Sequence, residues 1–240
     1  IYNVLIINIM KNFYIVFLMF SVISNASSTD TIAVFSESVK ANFKKYVSLS
    51  NKAYNNKNYQ IAENLFDSLV RNSLAGTHFD DFSFKRLGKS RVQLSKIDKP
   101  ILLITYSSWC IMGKGEVPAL NNLAKEYKDK MQIVVVFWNK KKDMKRIARS
   151  FDSEIMVCYA NDSEQKDIKA ISYLKKTFGF PTSYLIDENM ELVDIQKNFV
   201  KPENKVNMKI SLDFHYHKFN SGLTSLIVNN GYDSTRMAGN

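Results

Sequence analysis

Cysteine and histidine are scarce in this sequence of 240 residues, which contains two cysteines and three histidines. His215 and His217 are separated by one residue and Asp213 is nearby, but no fourth ligand stands at a spacing typical of a metal site. The sequence also lacks a phosphate-binding loop, a Ser-His-Asp set and a dinucleotide fingerprint. We therefore predict neither a bound metal nor any other cofactor, so any chemistry of the protein has to come from its own side chains.

Acidic residues are in the minority, with 23 aspartates and glutamates against 33 lysines and arginines and a net charge of +10. The densest basic cluster runs from Lys140 to Arg146. No nucleic-acid recognition motif accompanies this cluster, so we interpret it as a solvated loop and helix start and predict no nucleic-acid partner. Weak attraction to anionic membrane surfaces is the remaining alternative.

The apolar stretch near the N-terminus, Phe13 to Ile23, is too short to span a bilayer alone. It follows Met10-Lys11-Asn12, a charged n-region, and precedes Ser24-Asn25-Ala26, a small-residue cleavage site. Residues 1–26 are therefore predicted to be a signal peptide or, alternatively, an N-terminal anchor that attaches the protein to the membrane. The protein is expected to be exported, with a location in the periplasm or cell envelope.

Residues 27–75 are predicted to form an N-terminal helical segment. Apolar residues recur every three or four positions from Thr31 to Leu49 and again from Tyr59 to Val70, which indicates two amphipathic helices. A single helical hairpin without a repeat cannot build a solenoid. We interpret the hairpin as a structural cap on the main domain, with a partner-docking element as the alternative.

Residues 76–240 alternate between strand and helix patterns. Ile101 to Thr105 and Ile133 to Phe137 are uninterrupted apolar runs, the pattern of strands that are buried on both faces of a sheet. A helix predicted from Ala119 to Lys130 connects them and gives a right-handed crossover. Further strands are predicted at residues 155–159, 183–186 and 191–195. The predicted fold class is α/β, with a central mixed sheet flanked by helices.

Cys110 is the best candidate for chemistry in this chain. It follows the buried strand and the polar turn Ser107-Ser108, and it precedes the predicted helix. Unpaired backbone N–H groups and the helix dipole stabilise a thiolate at the start of a helix. Cys158 lies inside an apolar run and is interpreted as a core residue. Whether the two cysteines pair as a disulfide is left open.

Four residues around this turn match the WCxxCxxExP motif of the TlpA-like exported thiol:disulfide oxidoreductases, a branch of the thioredoxin superfamily: Trp109, Cys110, Glu116 and Pro118. The motif is degenerate, because Gly113 stands where the family has its second cysteine. The resemblance extends over residues 77–200. It implies a thioredoxin-like fold for residues 76–240, with a divergent C-terminal tail, and the N-terminal helical hairpin is an addition to that fold.

The resemblance also implies roles for individual residues. Cys110 would be the nucleophile that attacks a disulfide, and Glu116 would lie beneath it and handle protons; a first-turn glutamate that only stabilises the helix is the alternative. Phe180-Pro181 resembles the cis-proline segment of the family, with an ordinary trans proline at the start of a strand as the alternative. The substrate-binding surface would then consist of Trp109, Phe180 and Pro181.

Gly113 carries no sulfur, so a mixed disulfide on Cys110 would have no neighbouring thiol to release it. The leading hypothesis is therefore monothiol disulfide exchange or reduction, with a protein or small-molecule disulfide as substrate and an external thiol reductant as partner. One alternative is a non-enzymatic thioredoxin-fold module that binds a peptide or protein. The other is a one-cysteine peroxidase-like redoxin, whose motif has a proline and a threonine before the cysteine, whereas Ser107 and Ser108 precede Trp109 here.

Overall fold

The computed structural model describes residues 32–107, 110, 113–197 and 207–229. Trp109 and the predicted signal peptide or anchor, residues 1–26, lie outside the described residues. All the elements below belong to one compact unit, Ala33–Asn240. Among the helices of the described residues, none combines the length and the apolarity needed to cross a bilayer.

Two helices begin the described part of the chain, and strands and helices follow in mixed order. The α-helices are α1 (Phe35–Asn55), α2 (Tyr59–Leu69), α3 (Glu116–Glu126), α4 (Lys141–Ile147), α5 (Ile168–Ala170), α6 (Lys176–Phe178) and α7 (Met208–Asn229). The strands are β1 (Ser83–Arg86), β2 (Lys89–Gln93), β3 (Ile101–Tyr106), β4 (Gln132–Phe137), β5 (Met156–Tyr159), β6 (Thr182–Ile186) and β7 (Leu192–Lys197). A π-helical turn, Val70–Leu74, follows α2, and a second, Ile171–Lys175, joins α5 to α6.

The described strands form one seven-stranded mixed sheet in the order β2-β1-β5-β4-β3-β6-β7. β3 lies between β4, to which it is parallel, and β6, to which it is antiparallel. Thr105 of β3 pairs with Thr182 of β6, so the chain that enters β6 lies beside the chain that leaves β3. The predicted α/β fold, with a central mixed sheet flanked by helices and with helices at the N-terminal side, is confirmed.

β3 is buried on both faces because its side chains alternate between two hydrophobic clusters. Ile101 and Leu103 belong to the cluster that contains residues of α1 and α2, which we call the α1 face of the sheet. Leu102, Ile104 and Tyr106 belong to the opposite cluster, the α7 face. The helical residues buried on the α7 face come from α3, α4 and α7: Leu120, Leu123, Ala124, Met144, Phe219, Leu223 and Leu226. Complete burial of each large apolar side chain contributes about 1.5–3 kcal/mol.

The N-terminal helices pack on the α1 face. The rings of Phe35 and Phe79 have centroids 4.8 Å apart, and Phe35 meets Tyr184 of β6 edge-on at 6.3 Å. Asp80 anchors the start of α1, because its carboxylate accepts hydrogen bonds from the backbone N–H and the hydroxyl of Ser36, both at 2.8 Å. The hairpin thus contributes side chains to the same core as the sheet, as its interpretation as a structural cap requires.

α3 begins at Glu116, three residues before the predicted start at Ala119. Gly115 is its N-cap, and a Cβ at that position would lie 2.2 Å from the backbone nitrogen of Leu212 in α7. Only glycine allows the two helices to approach this closely. Pro118 lies in the first turn of α3, where the helix makes no use of a backbone N–H, so the helix continues through it.

α7 covers α3. The hydroxyl of Tyr127 donates a hydrogen bond to Oδ1 of Asn220 at 2.9 Å, and the hydroxyl of Tyr216 donates to Oε2 of Glu126 at 2.5 Å. The apolar side of α7 is buried, and Phe219 is only 3% exposed. α7 therefore closes the α7 face of the sheet and brings its first turns to the start of α3.

Candidate functional site

Cys110 lies just beyond the carboxyl end of β3, in the turn that begins at Ser107. Its backbone N–H donates a hydrogen bond to the carbonyl of Ser107 at 2.9 Å, and the N–H of Ser107 donates to Sγ of Cys110 at 3.4 Å. The side chain is partly exposed and the thiol is free. A free thiol that is fixed to the end of a buried strand and open to solvent can meet a substrate.

A buried hydrogen-bond chain links Gly113, Glu116 and Tyr106 beside this turn. The hydroxyl of Tyr106 donates to Oε1 of Glu116 at 2.6 Å, and the N–H of Gly113 donates to Oε2 at 3.1 Å. Glu116 is 1% exposed. Burial raises the pKa of Glu116, against the lowering effect of the two hydrogen bonds and the positive charge of Lys218. A buried carboxyl group whose pKa is raised can take up and release protons closer to neutral pH.

Burial raises the pKa of the Cys110 thiol above its ordinary value of 9.0. The hydrogen bond from Ser107 acts in the opposite direction without outweighing burial, and the negative charge of Glu116 raises the pKa further. The prediction that a helix start lowers this pKa is wrong, because α3 begins at Glu116, six residues after the cysteine. Cys110 is therefore mostly protonated at neutral pH, and it needs a proton acceptor to react as a thiolate.

Tyr106 is a site residue that sequence reasoning missed. It is the last residue of β3, it is completely buried, and its pKa is raised well above 10.0 by burial and by Glu116. The phenol therefore stays protonated and serves as a hydrogen-bond donor to the carboxylate. The available signal was a tyrosine directly after the predicted strand, which was assigned to end at Thr105.

His215 of α7 fills the space beside Gly113. A Cβ built on Gly113 would lie 2.3 Å from Nε2 of His215, closer than real Cβ atoms approach another heavy atom. The imidazole is 2% exposed, whereas His217 and Asp213 are exposed. The three side chains do not converge, and the part of the chain that the structure describes contains no cluster of three metal-ligating side chains. No sequence pattern pointed to the contact between His215 and Gly113.

The Phe180–Pro181 peptide bond is cis. Both residues are partly buried. Because Thr182, the first residue of β6, pairs with Thr105 of β3, the two residues that precede β6 lie at the same end of the sheet as the turn that carries Cys110. The Phe180 side chain packs against the α1 face. Trp109, the third residue of the predicted substrate-binding surface, lies outside the described residues.

Cys158 lies on β5 and is completely buried among the residues of the α1 face. Cys110 packs against the α7 face, so the sheet separates the two sulfurs. Neither cysteine forms a disulfide. Burial raises the pKa of Cys158 to about 12. The interpretation of Cys158 as a core residue is confirmed, and Cys158 cannot reach a mixed disulfide formed on Cys110.

The mixed sheet and the cysteine at the end of its central strand define a thioredoxin-like protein. Residues 75–195 match the model of the AhpC/TSA family, and the chain belongs to this family. The matched region contains all the site residues predicted from the sequence, whereas His215 lies beyond it.

The chain also resembles individual members of the thioredoxin superfamily. It is 30% identical to the thioredoxin-like protein YneN of Bacillus subtilis over 140 residues. These residues make up 58% of this chain and 79% of YneN. It is 30% identical to the thiol-disulfide oxidoreductase ResA of Oceanobacillus iheyensis over 122 residues. The match covers 48% of this chain and 60% of ResA. The thioredoxin domain of a thiol-disulfide oxidoreductase from Bacteroides vulgatus is 18% identical, with a TM-score of 0.46 over 61% of this chain and 96% of that domain.

Replacement of Glu116 by glutamine is expected to flatten the pH dependence of stability. The pKa of Glu116 is raised in the fold, so the folded protein binds this proton more tightly than the unfolded chain. The stability that the proton contributes is fully present below the ordinary pKa of 4.5, and it is lost as the pH rises through the folded value. Glu116→Gln should therefore gain unfolding free energy relative to the wild type as the pH rises.

Urea unfolding curves from about pH 4 to about pH 8 measure this difference. Glu63→Gln is the matched control, because Glu63 is an exposed glutamate on α2. Parallel stability curves for the wild type and Glu116→Gln would show that Glu116 has the same pKa in the folded and the unfolded chain.

Proposed function

We propose that the protein exchanges thiols and disulfides through Cys110 as a single nucleophile. The Cys110 thiolate attacks one sulfur of a protein or small-molecule disulfide, an S–S bond to Cys110 forms, and the other substrate sulfur leaves and takes up a proton. An external thiol then attacks the sulfur of Cys110 and releases the rest of the substrate as a second thiol. The first external thiol is now bonded to Cys110. A second external thiol attacks its sulfur, which forms a disulfide between the two external thiols and regenerates the Cys110 thiol. Two external thiols are therefore oxidised for each substrate disulfide that is reduced.

The observation that carries this proposal is the free, partly exposed Cys110 at the end of the central strand, beside the hydrogen-bonded pair Glu116 and Tyr106. The other cysteine of the chain, Cys158, lies on the opposite face of the sheet, and for this reason the resolving thiol is assigned to an external reductant. The chemistry named for the relative ResA, thiol-disulfide oxidation and reduction, supports the same reaction class.

We further propose that an extended part of the substrate lies along Phe180 and Pro181, with Trp109 as the third residue of this surface. The position of the two described residues at the same end of the sheet as the Cys110 turn supports this proposal. A backbone that enters an antiparallel strand next to a nucleophile offers hydrogen bonds to an extended chain.

The proposal assigns the protein to the exported, TlpA-like branch of the superfamily. The positions of Trp109, Cys110, Glu116 and Pro118 support the assignment. The predicted signal peptide or anchor in residues 1–26 supports a location outside the cytoplasm, in the periplasm or cell envelope, with membrane attachment where this segment is retained.

Cys110→Ser is expected to abolish the formation of a mixed disulfide, because a serine hydroxyl does not attack disulfides at neutral pH. Cys158→Ser should leave the reaction intact, since Cys158 is completely buried. Mass spectrometry after incubation with bis(2-hydroxyethyl) disulfide measures the adduct, and added 2-mercaptoethanol should remove it. An adduct that still forms on Cys110→Ser, or a wild type that forms none, would refute the proposed reaction.

The raised pKa of Cys110 favours a second candidate function, a thioredoxin-like module that binds a peptide or protein without electron transfer. The same surface beside Pro181 would bind the partner. A wild-type protein that is folded, fails to react with the disulfide above, and captures an extended peptide would have this second function.

A further inference from the structure

The imidazole of His215 occupies the position at which a dithiol motif carries its second sulfur. Gly113 stands at that position, three residues after Cys110. A Cβ on Gly113 would lie 2.3 Å from Nε2, 3.1 Å from Cε1 and 3.2 Å from Cδ2 of His215. A histidine ring in this place and a cysteine side chain on Gly113 therefore exclude each other.

The packing of α7 holds His215 in this position. The N–H of Gly115 donates a hydrogen bond to Oγ of Ser211 at 3.1 Å, and the backbone of Leu212 lies where a Cβ of Gly115 would be. On the following turn, the ring of Phe219 stacks against the imidazole at a centroid distance of 6.4 Å. With 2% of its surface exposed, the imidazole cannot turn out into solvent without moving the helix.

Gly113 links His215 to the residues around Cys110. The charge of Glu116 raises the pKa of Cys110, and the charge of Cys110 contributes to the raised pKa of Tyr106, so the sulfur lies within electrostatic reach of both. Glu116 accepts the hydrogen bond from Gly113, and Gly113 in turn lies against the imidazole. The three peptide units from Cys110 to Gly113 span at most about 11 Å.

We propose that His215 is the proton-exchanging residue of the Cys110 site and stands in place of the second sulfur. This inference rests on the proposed function. The neutral imidazole accepts the proton of the Cys110 thiol as the sulfur attacks the substrate disulfide, and the imidazolium returns this proton to the substrate sulfur that leaves. Protons thus balance within the first half-reaction, and the electrons come from the external thiols of the second.

The charged groups around His215 suit this role. Burial and the positive charge of Lys218, on the same helix, lower the pKa of His215, so the imidazole is neutral at neutral pH. From α3, Glu116 faces the cluster, and its pKa is raised by burial. Cys110 and Tyr106, at the end of β3, also have raised pKa values. The imidazole is thus a neutral base, and the thiol is protonated and cannot ionise readily by itself.

The test compares His215→Gln with His217→Gln, in a Cys158→Ser background that leaves Cys110 as the one thiol. His217 is exposed on the same helix and is the matched control. Stopped-flow rates of reaction with bis(2-hydroxyethyl) disulfide are measured from about pH 5 to about pH 9. The inference requires an inflection from the imidazole below the inflection of the thiol, its loss in His215→Gln, and a fall in rate on the order of 10²-fold at neutral pH. His217→Gln should keep the wild-type profile.

The outcomes separate this inference from the proposed function. A parent protein that reacts, together with a folded His215→Gln of unchanged rate and pH profile, overturns the role of His215 and leaves monothiol exchange in place. A parent protein that does not react refutes the function itself. A histidine with only a structural role would alter stability and leave the inflection in the rate profile where it was.

A second measurement applies if His215→Gln does not fold. The imidazoles of His215 and His217 are titrated by NMR in the Cys158→Ser parent. The inference requires that the lower inflection of the rate profile of this parent coincides with the pKa of His215. A lower inflection that departs from the pKa of His215 would show that its ring does not take the proton of the thiol, and would overturn the inference.

Discussion

Gly115→Ala is expected to lower the free energy of unfolding by about 3 kcal/mol or more, the upper range for overpacking a buried site. The added Cβ would lie 2.2 Å from the backbone nitrogen of Leu212, 2.4 Å from the carbonyl carbon of Ser211 and 2.5 Å from Cα of Leu212. All three are backbone atoms of α7, so no side chain can turn aside to make room. The helix has to shift as a unit, and the midpoint of thermal unfolding should fall by about 10 °C.

Lys114→Ala is the matched control, because Lys114 is an exposed neighbour in the same loop. It should leave the midpoint of thermal unfolding within a few degrees of the wild type, since surface substitutions usually change stability by about 0.5 kcal/mol or less. A Gly115→Ala variant as stable as Lys114→Ala would show that α7 does not pack against the start of α3.

The central sheet could be predicted from the sequence because its strands are uninterrupted apolar runs. Ile101 to Thr105 was predicted as a buried strand, and β3 continues it by one residue, to Tyr106. That one residue mattered for the site, because Tyr106 is the hydrogen-bond donor to Glu116. Apolar periodicity shows where an element is buried, but it locates the ends of elements poorly, and here the end of β3 carries part of the chemistry.

The sequence mispredicts the pKa of Cys110 because this pKa depends on two opposing effects whose balance is set by packing. A helix start lowers the pKa of a cysteine only when the thiol lies within the first turn. The helix begins at Glu116, whose own charge disfavours a thiolate, and burial outweighs the one hydrogen bond from Ser107. Residue types near a cysteine reveal possible partners, whereas the balance between burial and hydrogen bonding follows from packing.

The role of α7 could not be predicted from the sequence. His215 and His217 look alike as a pair of histidines, yet the first is 2% exposed and the second lies at the surface. The contact between His215 and Gly113 joins two distant parts of the chain, and local periodicity carries no information on such contacts. The missing second cysteine and the buried histidine therefore looked like separate facts, although the structure brings them to one place.

Gly113→Cys together with His215→Ala is expected to give a protein that forms a disulfide with Cys110, whereas Gly113→Cys alone should not. In the single variant the new Cβ would meet Nε2 of His215 at 2.3 Å, and the buried ring has to be displaced at a cost of about 1–3 kcal/mol. With alanine at position 215 the space is open. Two cysteines three positions apart in a chain can then reach the short Cα separation that a disulfide requires.

The experiment is a double-mutant cycle in a Cys158→Ser background, with free thiols counted by maleimide labelling before and after mild oxidation, and with stability measured under reducing conditions. Gly113→Cys combined with His217→Ala is the matched control, since His217 is exposed and leaves the clash in place. The changes in unfolding free energy caused by Gly113→Cys and by His215→Ala should differ from additivity by about 1–3 kcal/mol, because the two side chains compete for one volume.

Additive changes in unfolding free energy, together with a Gly113→Cys variant that oxidises readily without a second substitution, would mean that the imidazole leaves the site at little cost. The contact with His215 would then not explain why position 113 is a glycine. A non-additive cycle that ends in a disulfide would show that His215 keeps this site from accepting the second cysteine of a dithiol motif, which accounts for a single-cysteine site in a fold that otherwise has room for two.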